Sequence, residues 1–141
     1  MLKRKILAGV LSAATVLSAC AFTVSANNCA DRPWTFSTSQ DTYQTAYLDK
    51  TDDSYMYIKT TSGSGVYAYP WGCYRNPETG AYSGYGQYGS GVYTGVNVEK
   101  FVTNYVYENG KNKASFKLNR TGGKYEARGV WSPDSVGGPN N

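Results

Sequence analysis

The chain has no histidine among its 141 residues and only three cysteines. Without histidine, the Ser/His/Asp and Cys/His nucleophile arrangements cannot form, and histidine-ligated zinc and haem sites are excluded as well. Single domains usually contain about 100 to 150 residues, so the length indicates one domain rather than a two-domain enzyme. No catalytic or cofactor motif is recognisable, and we predict a non-catalytic protein without a cofactor.

Long hydrophobic runs are also lacking, except at the amino terminus. Three cations at positions 3–5 precede an apolar run over residues 6–17, and Val24-Ser25-Ala26 supplies the small residues that signal peptidase accepts. We therefore predict a signal peptide over residues 1–26 and a single β-domain over residues 27–141. The apolar run is too short to span a bilayer and no second one follows, so no transmembrane segment is expected.

The same region contains a competing cleavage signal. Leu17-Ser18-Ala19-Cys20 resembles the lipobox of bacterial lipoproteins, in which the cysteine is lipidated and anchors the protein to the membrane. The apolar residues 21–24 argue against this alternative, because a tether that leaves a membrane surface is normally polar and flexible. Secretion is the predicted location, and lipid anchoring through Cys20 is the alternative.

Excess positive charge is absent once the signal peptide is removed. Three of the 14 Lys and Arg residues lie in it, which leaves 11 against 10 Asp and Glu. A near-neutral domain offers no electrostatic footprint for nucleic acid, so we predict no nucleic-acid partner. Either cleavage leaves Cys29 and Cys73 as an even pair in an exported chain, and this predicts a structural disulfide.

Aliphatic residues are scarce in the predicted mature domain, which has 12 Leu, Ile, Val and Met residues but 20 Phe, Tyr and Trp residues. Each aromatic side chain can bury about 150 to 250 Å², which allows a folded domain with a thin aliphatic core. Sustained helical periodicity is missing, whereas short alternating segments bounded by turn residues recur. We predict an all-β fold, a small antiparallel sandwich or barrel of about seven short strands.

The clearest alternation predicts a β-hairpin from residues 54–60 and 65–71, joined by Thr-Ser-Gly-Ser. One face of this hairpin is aliphatic and the other is aromatic. The aromatic stripe supplies the candidate ligand-binding residues, which are Tyr55, Tyr57, Tyr67, Tyr69 and Trp71. Two interpretations stay open, since the stripe is either the core-facing side or a platform on which sugar rings or a protein surface stack.

Two further segments have an unusual composition. Residues 81–95 hold five glycines, four tyrosines and no charge. Dense glycine is costly to order, so we predict a Gly/Tyr-rich surface loop, with a mobile aromatic loop that closes on a ligand as the alternative. The crowded Asp49, Asp52 and Asp53 favour a turn over a calcium site, because the spacing of an EF-hand is missing. No metal site is predicted.

Three motifs carry a resemblance. The chain resembles a recurrent group of small exported bacterial proteins of unassigned activity in Lys50-Thr51-Asp52-Asp53-Ser54, in Asn104-Tyr105-Val106-Tyr107-Glu108-Asn109-Gly110 and in Gly129-Val130-Trp131-Ser132-Pro133-Asp134-Ser135. Its size, export signal, aromatic content and expected all-β fold also resemble the lactococcin 972-like bacteriocins. We predict a secreted β-domain that binds a cell-surface glycan or protein through aromatic side chains. The alternative is a secreted bacteriocin-like antagonist of neighbouring bacteria.

Overall fold

The computed structural model describes residues 28–123 and 125–136, and this part of the chain consists of β-strands and connections without a helix. The predicted signal peptide and Cys20 lie outside the described residues. The strands are β1 (Arg32–Phe36), β2 (Thr42–Gln44), β3 (Leu48–Asp49), β4 (Met56–Ser62), β5 (Val66–Arg75), β6 (Tyr82–Gln87), β7 (Val92–Thr94), β8 (Glu99–Val102), β9 (Lys113–Arg120) and β10 (Ala127–Ser132).

These strands form two sheets in which every strand pairing is antiparallel. The four-stranded sheet has the order β1-β10-β4-β8, and the six-stranded sheet has the order β2-β9-β5-β6, with β3 added to β9 and β7 added to β5. The all-β prediction is confirmed. The strand number exceeds the predicted seven, since the described residues contain several strands of only two or three residues, too short to show an alternation.

A single hydrophobic core lies between the inner faces of the two sheets. The four-stranded sheet contributes Phe36, Ile58 and Trp131, and the six-stranded sheet contributes Phe116 and Leu118. The rings of Phe116 and Trp131 meet edge to face with centroids 5.7 Å apart. Aromatic rings therefore supply much of the core volume that the scarce aliphatic residues cannot fill.

The predicted hairpin of β4 and β5 is wrong, because these strands belong to different sheets. The connection between them turns a corner at Gly63, which has a φ of +85°. A Cβ atom at Gly63 would collide with the backbone oxygen of Glu126. Alternation identifies the strands and their buried faces but not their partners, since β4 lies between β10 and β8, and β5 lies between β9 on one side and β6 and β7 on the other.

The aliphatic sides of β4 and β5 face the core. Met56, Ile58, Val66 and Ala68 are fully buried, whereas the aromatic residues between them are half-buried or exposed. The interpretation of the aromatic stripe as the core-facing side is therefore wrong.

The Gly/Tyr-rich segment over residues 81–95 was expected to be a loop but contains β6 and β7, which both pair with β5. Glycines in and beside these strands lie under aromatic rings. A Cβ atom at Gly91 would collide with the ring of Tyr69, and one at Gly65 would collide with Tyr93. Dense glycine provides room for close ring packing here, whereas composition alone indicates flexibility.

Candidate functional site

The outer face of the six-stranded sheet carries a set of aromatic side chains that we call the tyrosine face. Its members are Tyr47, Tyr67, Tyr69, Trp71, Tyr85 and Tyr93. Strand β5 supplies three of them, because every second residue of a strand points to the same side. Tyr67, Tyr85 and Tyr93 are 45%, 55% and 49% exposed, respectively.

The rings of the tyrosine face meet in pairs. Tyr67 lies directly opposite Tyr93, and their ring centroids are 5.6 Å apart with planes tilted by 57°. At the other end, Tyr47 and Tyr85 meet edge to face at 5.5 Å and 73°. Burial raises the pKa of Tyr47 to about 12, with the neighbouring Cys73 and Tyr85 adding to the shift. The surface therefore presents ring faces and edges together rather than a flat plane.

Two cations rest on aromatic rings at this face. The Lys117 amine lies 5.2 Å from the centroid of Trp71, and the Arg75 guanidinium lies 5.8 Å from the centroid of Tyr82. Tyr82 in turn stacks on Tyr85 at 6.5 Å. Within the described ranges neither cation forms an ion pair. Both cations remain available to acceptor groups of a partner.

The five predicted ligand-binding residues are not all brought together. Tyr67, Tyr69 and Trp71 share the tyrosine face, but Tyr57 lies on the outer face of the four-stranded sheet. There its hydroxyl donates to Glu99 Oε1 at 3.2 Å. Burial, together with the charge of Glu99 and this hydrogen bond, raises the pKa of Tyr57 to about 12. Tyr55 precedes β4 and lines a separate groove.

The three motifs that carry the resemblance meet around Ser54. Its carbonyl oxygen accepts hydrogen bonds from Lys50 Nζ at 2.6 Å and from Asn104 Nδ2 at 3.1 Å. Its Oγ accepts a hydrogen bond from the Ser135 amide at 3.2 Å. Residues from all three motifs therefore bind one another, although they are separated by up to 84 positions in the chain. We call this arrangement the Ser54 hub.

A family model described as a protein of unknown function, DUF2712, matches residues 22–135. The chain belongs to the DUF2712 family. This match contains all three motifs and every strand of the described residues, so the predicted membership of a recurrent protein group is confirmed. No curated protein and no solved structure matches the chain.

A buried ion pair stabilises the Ser54 hub of this DUF2712 chain. Lys50 Nζ lies 2.7 Å from Asp134 Oδ1, and both side chains are fully buried. Asp134 Oδ2 accepts hydrogen bonds from the Thr51 hydroxyl at 2.7 Å and from the Asn28 amide at 3.0 Å. Burial alone would raise the pKa of Asp134, but hydrogen bonds from Lys50 and Thr51 and the charge of Lys50 hold it below its usual value. Sequence reasoning missed this pair, since a lysine in a polar motif is normally solvated.

The aspartates of the first motif form a turn. Asp52 Oδ1 accepts a hydrogen bond from the Ser54 amide at 2.9 Å, which confirms the predicted turn. Asp49 instead pairs with Lys113 at 2.5 Å. Within the part of the chain that the structure describes, no cluster of acidic or cysteine residues has the arrangement of a metal site. No helix there is long and apolar enough to cross a membrane.

Cys29 and Cys73 are free thiols in the structure, so the predicted disulfide is not formed there. Burial raises the pKa of both thiols. Asp134 raises the pKa of Cys29 further, whereas the cations near Cys73 oppose the effect of burial. Both side chains are consequently protonated at neutral pH, which slows thiol exchange because the thiolate is the reacting species.

Proposed function

We propose that the protein is a secreted, non-catalytic β-domain that binds a cell-surface glycan or protein through the tyrosine face. The observation that carries the proposal is the concentration of six aromatic side chains on one outer sheet face, three of them about half exposed. Contiguous exposed aromatic area is typical of binding surfaces, because it is released from water when a partner covers it. Tyrosine and tryptophan also contribute large contact areas with little loss of side-chain entropy.

Ring orientation and charge both support a polar partner. The tilted rings offer both edges and faces for contact with sugar rings or side chains of a partner. Lys117 and Arg75 add positive charge beside the rings and donate hydrogen bonds to hydroxyl, carbonyl or carboxylate oxygens. The tyrosine hydroxyls of the exposed rings contribute further donors and acceptors.

The binding test compares the two outer faces of the sandwich. We expect Tyr67→Ala and Tyr93→Ala to weaken adhesion to whole cells and purified cell walls by roughly fivefold or more, since central aromatic contacts often contribute more than about 1 kcal/mol. Tyr57→Ala removes the same side chain from the opposite face and serves as the matched control. Equal adhesion of all three variants and the unchanged protein would contradict a role of the tyrosine face. Growth inhibition of neighbouring bacteria by the purified protein would instead support the antagonist alternative.

Export and the disulfide belong to the same proposal and are tested by mass spectrometry of the protein recovered outside the cell. We expect a chain that starts at Asn27 with a mass two hydrogens below that of the reduced form. A diacylglyceryl group on Cys20 would show the lipoprotein alternative. An unchanged mass after reduction would show that Cys29 and Cys73 are not bonded.

A further inference from the structure

An open groove of about 420 Å³ lies beside the Ser54 hub, away from the tyrosine face. Its lining consists of Asp53, Ser54, Tyr55, Thr103, Asn104, Tyr105 and Glu108. This lining contains two carboxylates, two tyrosine rings and no cation. We propose that the groove binds an organic ammonium group, such as the protonated amine of an unacetylated amino sugar or of a lysine side chain.

The two carboxylates of the groove lack internal counter-ions. Asp53 and Glu108 are exposed, and among the described residues neither carboxylate forms an ion pair or a hydrogen bond. Asp49, Glu99 and Glu126 are each paired with a lysine or an arginine, whereas Glu78, in a turn outside the groove, has no ion-pair partner among the described residues either. The groove therefore holds two negative charges without an ion-pair partner, and a bound ammonium group would offset one of them.

The tyrosines make the groove specific for an organic cation rather than a metal ion. Tyr105, which is 54% exposed, and the half-buried Tyr55 both line the groove. Ammonium groups bind favourably over the faces of tyrosine rings. A protonated primary amine also donates three hydrogen bonds, which carboxylate and hydroxyl oxygens accept.

Both walls of the groove are held in place before a ligand arrives. Asp53 and Tyr55 flank Ser54, whose backbone and hydroxyl are bound within the hub. On the opposite wall, the Tyr105 amide donates to the Tyr88 carbonyl at 2.7 Å, and the turn after it closes through a hydrogen bond of 3.1 Å from the Asn109 amide to the Tyr105 carbonyl. A preformed site loses little conformational entropy on binding. Its volume lies within the usual range of small-ligand sites, about 300 to 1,000 Å³.

The test measures calorimetric binding of two matched probe pairs to the mature chain. The first pair is the glucosamine trimer and its fully N-acetylated counterpart, and the second is Nα-acetyl-lysine amide and its Nε-acetylated form. We expect each free amine that binds to do so at least tenfold more tightly than its acetylated partner, since acetylation removes the charge. The probe pair that shows this difference identifies whether the ammonium is carried by a sugar or by a lysine side chain. Failure of both free amines to bind would overturn the proposal, as would equal binding of the acetylated forms.

Substitutions locate the binding. Glu108→Gln and Asp53→Asn keep the shape of the side chains, and we expect each to weaken the free-amine probe by roughly three- to tenfold through loss of a charged acceptor. Glu78→Gln removes an equal charge from a turn outside the groove and should leave binding unchanged. An equal loss in Glu78→Gln would show nonspecific charge attraction and would overturn the proposal.

Discussion

At the scale of single residues, the recurrent packing feature of this protein is a glycine covered by an aromatic ring. Tyr69 covers Gly91, which directly precedes β7, and Tyr93 covers Gly65, which directly precedes β5. In the four-stranded sheet, a Cβ atom at Gly129 would lie 2.5 Å from the Trp34 ring. A ring that packs on a strand glycine restores the contact area that the missing side chain does not provide. This pairing explains how a chain so rich in glycine and tyrosine folds with few aliphatic residues.

The packing of Tyr69 on Gly91 predicts that Gly91→Ala destabilises the fold. The added methyl group collides with the Tyr69 ring, and overpacking of this kind costs about 1 to 3 kcal/mol. Urea unfolding of the purified variant measures the loss. Gly122→Ala is the matched control, since no atom of the described residues lies within 4 Å of the added methyl group, and its effect should stay within about 0.5 kcal/mol. Equal stability of both variants would show that Tyr69 moves aside freely.

The buried Lys50–Asp134 pair gives a second prediction at this scale. Asp134→Asn removes the nearer counter-charge of the buried Lys50 ammonium and leaves only Asp52, whose Oδ1 lies 3.9 Å from Lys50 Nζ. Breaking a buried pair typically costs about 3 to 5 kcal/mol. The double variant Lys50→Met with Asp134→Asn removes the buried charge as well and should be less destabilised than Asp134→Asn alone. Chemical unfolding of the single and double variants measures both losses. A double variant that is no more stable than the single one would contradict this account of the pair.

At the scale of strands, the alternation of residue types predicts which face of a strand is buried but not which strands pair with it. The segments 54–60 and 65–71 are strands with aliphatic inner sides, as their sequence pattern predicts, but they do not pair with each other, and each has a partner far away in the chain, β10 for β4 and β9 for β5. Pro70 is a second point at which the sequence is a poor guide to the strand, because a proline normally argues against a central strand. The Pro70 carbonyl oxygen accepts a hydrogen bond from the Tyr88 amide at 2.9 Å. Because the carbonyl and the nitrogen of a strand residue point to the same side, the Pro70 nitrogen faces the gap between the end of β6 and the start of β7. No ladder hydrogen bond is lost there.

Strands β6 and β7, which lie in the Gly/Tyr-rich segment and each pair with β5, give a prediction for hydrogen exchange. Amides of β6 and β7 that face β5 are ladder donors and should exchange at least about tenfold more slowly than those of the turn over residues 121–123. Exchange followed by mass spectrometry of peptides from residues 81–95 provides the comparison. Rates equal to those of the turn would show that the segment is the loop that its composition predicted.

At the scale of the whole molecule, the sequence predicted part of the candidate site. Alternation identified Tyr67, Tyr69 and Trp71 as one face of a strand. It could not identify Tyr47 or Tyr85, because they reach the same face from other strands and connections, and sheet order depends on long-range pairing. The Ser54 hub was visible only as three separate motifs, since nothing in a linear sequence shows that they meet.

The Ser54 hub joins distant parts of the molecule, and it predicts how the whole fold responds to acid. Asp134 binds the Asn28 amide near the start of the described chain, Lys50 after β3 and Thr51. Its pKa is held below its usual value in the folded protein. Asp134 therefore contributes stability that is fully present above the unfolded pKa, about 3.9, and is lost as the pH falls through the lower folded pKa.

We accordingly expect the contribution of Asp134 to the melting temperature to be constant from about pH 7 to 5 and to decline below about pH 4, as the pH falls toward the lower folded pKa. Thermal melts at a series of pH values, recorded for the unchanged protein and for Asp134→Asn, isolate this contribution, because Asn does not titrate. The gap between the two curves should narrow as the pH falls. Glu126→Gln is the control, since its partly exposed pair with Arg128 contributes at most about 1 kcal/mol. A gap between the curves of Asp134→Asn and the unchanged protein that is the same at pH 7 and pH 3 would show that the Asp134 charge does not hold the hub together.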